Sequence, residues 1–116
     1  MTRTILFVCE HGVFRSRIAA AYFNAGGPIG WRALSAGRDP QLTVSARLGP
    51  LLPGTAAAEY LETEAPRHAE DVTADRVIAV DCTQSGAEHW TTSADWDEAL
   101  RDELAARVKV LARELG

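Results

Sequence analysis

A chain of 116 residues, 47% of them hydrophobic, carries enough apolar surface for one compact domain spanning 1–116. Its net charge of −4, with no basic stripe, argues against nucleic acid as a partner, and no apolar run approaches membrane-spanning length, so no membrane partner is expected either. Cys9 and Cys82 lie far apart with no secretory leader, which predicts a reducing, cytoplasmic setting; His11, His68 and His89 are scattered, so no metal and no cofactor is expected.

Thr4-Ile5-Leu6-Phe7-Val8 is short, apolar, β-branched and aromatic, and reads as a fully buried strand. A loop follows, and then Ile18, Ala21, Tyr22 and Ala25 form an apolar stripe that predicts a helix over 15–25, stopped by Gly26-Gly27-Pro28. Trp31 to Ser35 is the next strand. The turn Gly37-Arg38-Asp39-Pro40 sits at its carboxyl end, where Arg38 and Asp39 either flank a pocket or form a plain surface turn. Residues 43–52 predict a short helix ended by Pro53-Gly54, Thr55–Leu61 a further helical segment, and Pro66–Thr73 a short helix or turn. Arg76–Val80 is a continuous β-branched strand. Leu100, Leu104, Val108, Leu111 and Leu115 mark one face of a final helix, with Asp95 as its N-cap and Glu98 completing a capping box. Trp31 and Trp90 are expected on sheet edges.

The segment from Cys9 to Ser16 carries the chemistry. Cys9 leaves the carboxyl end of a buried strand, and Arg15-Ser16 open a helix. The backbone N–H groups of Glu10, His11, Gly12, Val13, Phe14, Arg15 and Ser16 then form an oxyanion-binding nest, completed by the helix N-terminus. A thiol in such a positive field serves as a thiolate nucleophile. Arg15 would clamp two oxygens of a tetrahedral anion bidentately, and Ser16 would hydrogen-bond the sulfur. Gly12 suits a left-handed backbone turn, Phe14 anchors the loop in the core, and the Glu10 carboxylate must radiate outward from an anion site. The plain alternative is that Cys9 is a small buried hydrophobe.

The run ILFVCEHGVFRSRIAAAYFN resembles the start of the low-molecular-weight protein tyrosine phosphatase superfamily, which also contains the thiol-dependent arsenate reductases. The likeness is strongest over residues 4–25 and continues through Ala33-Leu34-Ser35-Ala36-Gly37 and Ala74–Asp81. The resemblance implies a three-layer α/β fold with helices on both faces of a small parallel sheet of three to four strands, ordered 2-1-3-4 if the fourth is present. In that family an aspartate before the last helix, usually followed by proline, protonates the departing oxygen. Asp95 and Asp97 are the only local candidates here, neither precedes a proline, and Asp95 is either the acid or the helix cap. The family also places a helix between its third and fourth strands. Only six residues separate Cys82 from His89, too few for a parallel crossover, so the sheet is expected to be trimmed, with Glu88-His89-Trp90 a stub or loop.

Three functions follow from the resemblance. In the first, Cys9 attacks phosphorus in phosphate monoesters, with phosphotyrosine in a protein among the candidates, and Arg15 and the loop amides stabilise the oxygens while Asp95 donates the proton. In the second, Cys9 attacks arsenate and a resolving thiol follows, either Cys82 or a small external thiol such as glutathione or mycothiol. A thioredoxin-linked cascade of three cysteines is excluded, because the chain has two. In the third, the loop only binds phosphate or a phosphorylated partner. Cys82 otherwise reads as a buried strand-end residue. Trp96 either stacks on an aryl substrate or staples the last helix.

Overall fold

The computed structural model describes residues Met1–Gly116. Its centre is four parallel strands, β1 (Arg3–Cys9), β2 (Trp31–Gly37), β3 (Arg76–Val80) and β4 (Glu88–Trp90), ordered β2-β1-β3-β4. The helices are α1 (Arg15–Gly26), α2 (Leu48–Leu51) and α3 (Asp97–Leu115), with single 3₁₀ turns at Ala58–Tyr60 and Ala69–Asp71. No helix is long and apolar enough to cross a membrane.

β1 is apolar without interruption because it is covered on every side. It pairs with β2 on one edge and β3 on the other, and Ile5, Leu6, Phe7 and Val8 are all buried. Alternation along the strand sends Ile5 and Phe7 to the face covered by α1 and α3, where they meet Ile18, Phe23, Leu100, Leu104 and Val108. Leu6 and Val8 face the other side, against Ala36, Ala69, Leu34 and Val72. Helical cover on that second face is reduced to the one turn Ala69–Asp71, where the sequence left open a short helix or a turn. In α1 the fully buried ring is Phe23 rather than Tyr22, because the helix is packed around most of its circumference. The helix expected over 43–52 shrinks to the turn Leu48–Leu51. Pro50 has no N–H to bond the carbonyl of Ala46, so the helix cannot begin earlier.

The region after β3 corrects one sequence expectation. The seven residues Asp81–Ala87 do connect two parallel strands. The register explains how: Ile78 pairs with Glu88 and Val80 with Trp90, so the chain retreats only two residues along the strand, about 7 Å at ~3.3 Å per residue. The dozen-residue requirement holds for strands that must be retraced in full, and a three-residue strand escapes it. Asp81, at φ +52°, turns the chain out of the sheet, Gly86 at φ +74° turns it back, and the Asp81 N–H donates to the Trp90 carbonyl at 2.8 Å. Trp90, on the edge strand, lays its ring 5.7 Å from that of Phe7; Trp31 lies on the opposite edge strand.

Candidate active site

β1 delivers Cys9 to the carboxyl end of the sheet, and the chain rounds a tight loop before α1 begins at Arg15. The loop is held from outside through its carbonyls. That of Cys9 accepts from the Arg38 N–H (3.1 Å), Glu10 from Asp39 (2.8 Å), His11 from Gln41 (3.2 Å) and Val13 from Ser45 (3.1 Å). The Gly12 carbonyl accepts from Arg17 Nε at 2.9 Å, and that of Phe14 from the N–H groups of Arg17 and Ile18. With the carbonyls engaged, the N–H groups of Glu10, His11, Gly12, Val13 and Phe14 donate to no protein atom. Those of Arg15 and Ser16 open α1, where no intrahelical acceptor exists and no side chain caps the end. Arg38 and Asp39 thus support the loop through their backbone and do not line the cavity at Cys9.

Two glycines permit this curvature. Gly12 has φ +67°, and a Cβ there would lie 2.7 Å from the Gly37 nitrogen. A Cβ on Gly37 would in turn lie 2.6 Å from the His11 carbonyl carbon, so the end of β2 presses backbone against backbone on the loop. Arg17 braces the loop from below. It is 2% exposed, and besides Gly12 it donates to the carbonyls of Glu62 (2.7 Å) and Glu64 (2.5 Å). Burial pushes its pKa down, while the neighbouring Glu62 carboxylate pushes the other way.

Cys9 is buried, and its thiol donates to Ser16 Oγ at 3.1 Å; with the sulfur ionised the same contact runs the other way, from the hydroxyl. Arg15 Nε lies 3.0 Å from Asp81 Oδ2, but its N–H makes no hydrogen bond, so this contact is ionic and leaves a buried donor free. Asp81 also accepts from the Thr92 N–H at 2.8 Å and from its hydroxyl. Cys9, Arg15 and Asp81 share a cavity of about 520 Å³, whose far wall is Gln41 and Thr43–Arg47. Arg47 stacks over the Phe14 ring at 4.0 Å and grips Asp97, in the first turn of α3, through Nε at 3.0 Å and a second, shorter contact. These bonds hold the Asp97 carboxyl below its ordinary range.

Of the seven residues of the expected nest, Glu10, His11, Val13, Phe14 and Arg15 line the cavity and Gly12 and Ser16 do not; the Glu10 carboxylate lies 3.6 Å from Arg38. Phe14 is 5% exposed and belongs to the core. Asp95 is exposed, makes no hydrogen bond, and is not among the cavity-lining residues. Nor does Asp95 cap α3: the N-cap position is Trp96, without a side-chain bond, so the capping box does not form. Glu103 holds that segment instead, reaching back from α3 to accept from the N–H groups of Ser93 (3.0 Å) and Ala94 (3.2 Å). Trp96 is 64% exposed and does not line the cavity. Cys82 Sγ donates to the Val8 carbonyl at 3.5 Å and lines a neighbouring recess with Thr83 and His89, which meets the Cys9 cavity at Asp81. Burial pushes its thiol up, and the charge on Cys9 adds to that.

Sequence reasoning missed Asp81, Arg47 and Arg17 as parts of the site. Asp81 had a readable cue, a carboxylate directly after a buried strand destined to lie beside β1. Arg17 had another, a cation directly before the apolar run Ile18-Ala19-Ala20-Ala21. Arg47 had none, since its place depends on how residues 41–47 fold back over the loop.

No protein-family model matches the chain, and no curated protein does. Solved structures do match. The chain is similar to an arsenate reductase from Archaeoglobus fulgidus, at 26% identity and TM-score 0.65 over 96% of this chain and 97% of that one. It is similar to an arginine phosphatase from Geobacillus stearothermophilus, at 22% and 0.68 over 97% and 92%. A low-molecular-weight protein tyrosine phosphatase from T. tengcongensis gives 20% and 0.70 over 97% and 99%.

Proposed function

We propose that this chain, which has the fold shared by low-molecular-weight protein tyrosine phosphatases and arsenate reductases, hydrolyses phosphate monoesters through a cysteinyl-phosphate intermediate. The observation that carries the reading is the loop itself: N–H groups from Glu10 to Ser16 free of protein acceptors, around a sulfur bonded to Ser16 and beside an unpartnered Arg15 Nε–H. A phosphoryl group seated there has its three equatorial oxygens met by N–H donors and Arg15, with Cys9 Sγ in line for attack. Ser16 stabilises the sulfur as thiolate, both before attack and as the leaving group of the second step. The natural ester, phosphotyrosine in a protein included, is defined by whatever contacts the wall formed by residues 41–47.

The test is hydrolysis of para-nitrophenyl phosphate against pH, for the wild type and Cys9→Ser. Turnover absent from Cys9→Ser, with inorganic phosphate still bound, is the expected result; equal turnover in both proteins would overturn the reading.

The likeness to an arsenate reductase supports a second reading, reduction of arsenate at the same loop. Cys82 is poorly suited as its resolving thiol, because it lines another recess and burial keeps it protonated. Under this reading a small external thiol, glutathione or mycothiol, attacks the Cys9 sulfur of the arsenate adduct; an S–S bond forms as a mixed disulfide, the S–As bond breaks, and the electron pair leaves with arsenic as arsenite. Thiol-dependent arsenate turnover that exceeds ester hydrolysis and persists in Cys82→Ser would favour it.

A further inference from the structure

Hydrolysis of an unactivated ester needs a proton for the departing oxygen, and the aspartate expected before the last helix, Asp95, stands outside the cavity. Only two carboxylates line the cavity. Glu10 is directed outward toward Arg38, half exposed, and serves the rim. Asp81 is the other: its side chain is 22% exposed, and its Oδ2 sits 3.0 Å from the guanidinium that would hold the transferred phosphoryl group. Its backbone is also singular. Asp81 is the one non-glycine residue with positive φ, a conformation fixed by its own N–H on Trp90 and by the Thr92 N–H on its carboxylate. Unusual backbone held in place by its surroundings clusters at functional sites.

Resting on the phosphatase reading, we propose that Asp81 is the proton donor and acceptor of this site, in place of an aspartate on the loop before α3. Without substrate its carboxylate is matched to Arg15. Once a phosphoryl dianion takes Arg15 as its own partner, Asp81 faces that dianion and the Cys9 sulfur, and holding a proton relieves the repulsion. In the first step Cys9 Sγ forms the S–P bond, the P–O ester bond breaks, and the departing oxygen takes its electron pair and the proton from Asp81. In the second step water attacks phosphorus, gives its proton to the Asp81 carboxylate, and the S–P bond breaks to return the thiolate and free phosphate. The Thr92 hydroxyl serves both states, because it donates to the carboxylate and, by rotating, accepts from the acid.

The test compares phenyl phosphate, whose phenolate leaves poorly, with para-nitrophenyl phosphate, whose leaving group needs little help. Asp81→Asn keeps a side chain that tolerates positive φ. It is expected to lower kcat/KM, which reports ester cleavage, about 100-fold on phenyl phosphate and less than about fivefold on para-nitrophenyl phosphate. It is also expected to lower kcat on both through slower breakdown of their common cysteinyl-phosphate, and to erase the alkaline limb of the kcat/KM profile on phenyl phosphate. Asp95→Asn and Asp97→Asn are expected to leave the ratio between the two substrates unchanged. An unchanged ratio in Asp81→Asn overturns the assignment, as does a uniform rise in KM for both substrates, which would mark a residue that only positions Arg15. A shifted ratio in Asp95→Asn would return the role to the loop. Should Asp81→Asn fail to fold, Thr92→Val carries the test: loss of a donor to the carboxylate moves the alkaline limb to higher pH, and an unmoved limb refutes the proposal. A wild type without Cys9-dependent turnover would instead overturn the phosphatase reading, and this assignment with it.

Discussion

Gly37→Ala isolates the backbone contact that shapes the loop. Gly37 is the last residue of β2 and its backbone suits any residue, so the substitution adds one methyl group and no conformational strain. That methyl carbon would stand 2.6 Å from the His11 carbonyl carbon and 2.7 Å from the Gly12 nitrogen, where ordinary contact begins near 3.4 Å. Both obstacles are backbone, so no side chain can rotate away, and the loop must retreat by about 0.8 Å from its seat on β2. Overpacking of this kind costs about 1–3 kcal/mol, which lowers Tm by roughly 4–12 °C in a chain of this size. A displacement approaching 1 Å also spoils the convergence of the loop N–H groups, and phosphate affinity is expected to fall at least about tenfold. Circular dichroism melts and calorimetric titration with inorganic phosphate measure the two effects. Gly26→Ala is the control: it closes α1 with nothing within 4 Å of the added methyl, and is expected to stabilise by up to ~1 kcal/mol. A Gly37→Ala protein that melts with the wild type and binds phosphate equally would refute the account of how β2 sets the loop.

Arg17→Met orphans three carbonyls that Arg17 holds between the loop and residues 62–64, and is expected to cost about 3 kcal/mol in urea unfolding; Arg17→Lys restores little, since an ammonium cannot span all three. Cys82, raised by burial and then by the charge on Cys9, should alkylate with iodoacetamide only at alkaline pH, and faster in Cys9→Ser than in wild type, as followed by mass spectrometry. Asp97 is lowered by Arg47, so its stabilising effect is present above the unfolded carboxyl value of about 3.9 and is lost as pH falls through the lower folded value. Asp97→Asn should therefore melt below wild type at pH 7, with the difference closing in strong acid.

The parts of the molecule legible in the sequence are those fixed by local chemistry. Thr4–Val8 reads as the central strand because it is buried on both faces, and the spacing of Leu100, Leu104, Val108 and Leu111 states which side of α3 meets the sheet. The loop is legible for a different reason: the positive φ of Gly12 and the bond of Ser16 to Cys9 both arise within the segment 9–16, although the approach of Gly12 to Gly37 does not. What escaped depends on register and on distant segments. The crossover into β4 looked impossible because the offset between Ile78 and Glu88 is invisible in a count of loop residues. The start of α3 lies one residue later than Asp95-x-x-Glu98 suggests, since that spacing imitates a capping box while Glu103, beyond that window, supplies the acceptor that the preceding backbone uses. Arg47 meets Phe14 and Asp97 across 33 and 50 residues, and neither partner could have been named from spacing.

The charges around the loop decide what draws an anion into it. Arg15 faces Asp81, Arg38 faces Glu10, and Arg47 faces Asp97, so each side-chain cation beside the cavity is matched by a carboxylate. A cavity attractive to anions through its side chains would leave at least one cation in surplus. Here the net attraction falls first to groups that carry no formal charge, the N–H dipoles of residues 10–16 and the open end of α1, because Arg15 must exchange Asp81 for the anion before it contributes. Such dipoles act over short range from a buried loop, where dissolved salt screens them weakly, while long-range steering by surface charge is screened within about 10 Å at 0.1 M. Inorganic phosphate should therefore lose less than about threefold in affinity between roughly 0.05 and 0.5 M salt. A steep decline, of the kind produced when surplus arginines dominate, would mean that Arg38 or Arg47 leaves its carboxylate in solution and that this added charge, rather than the loop backbone with Arg15, captures the anion.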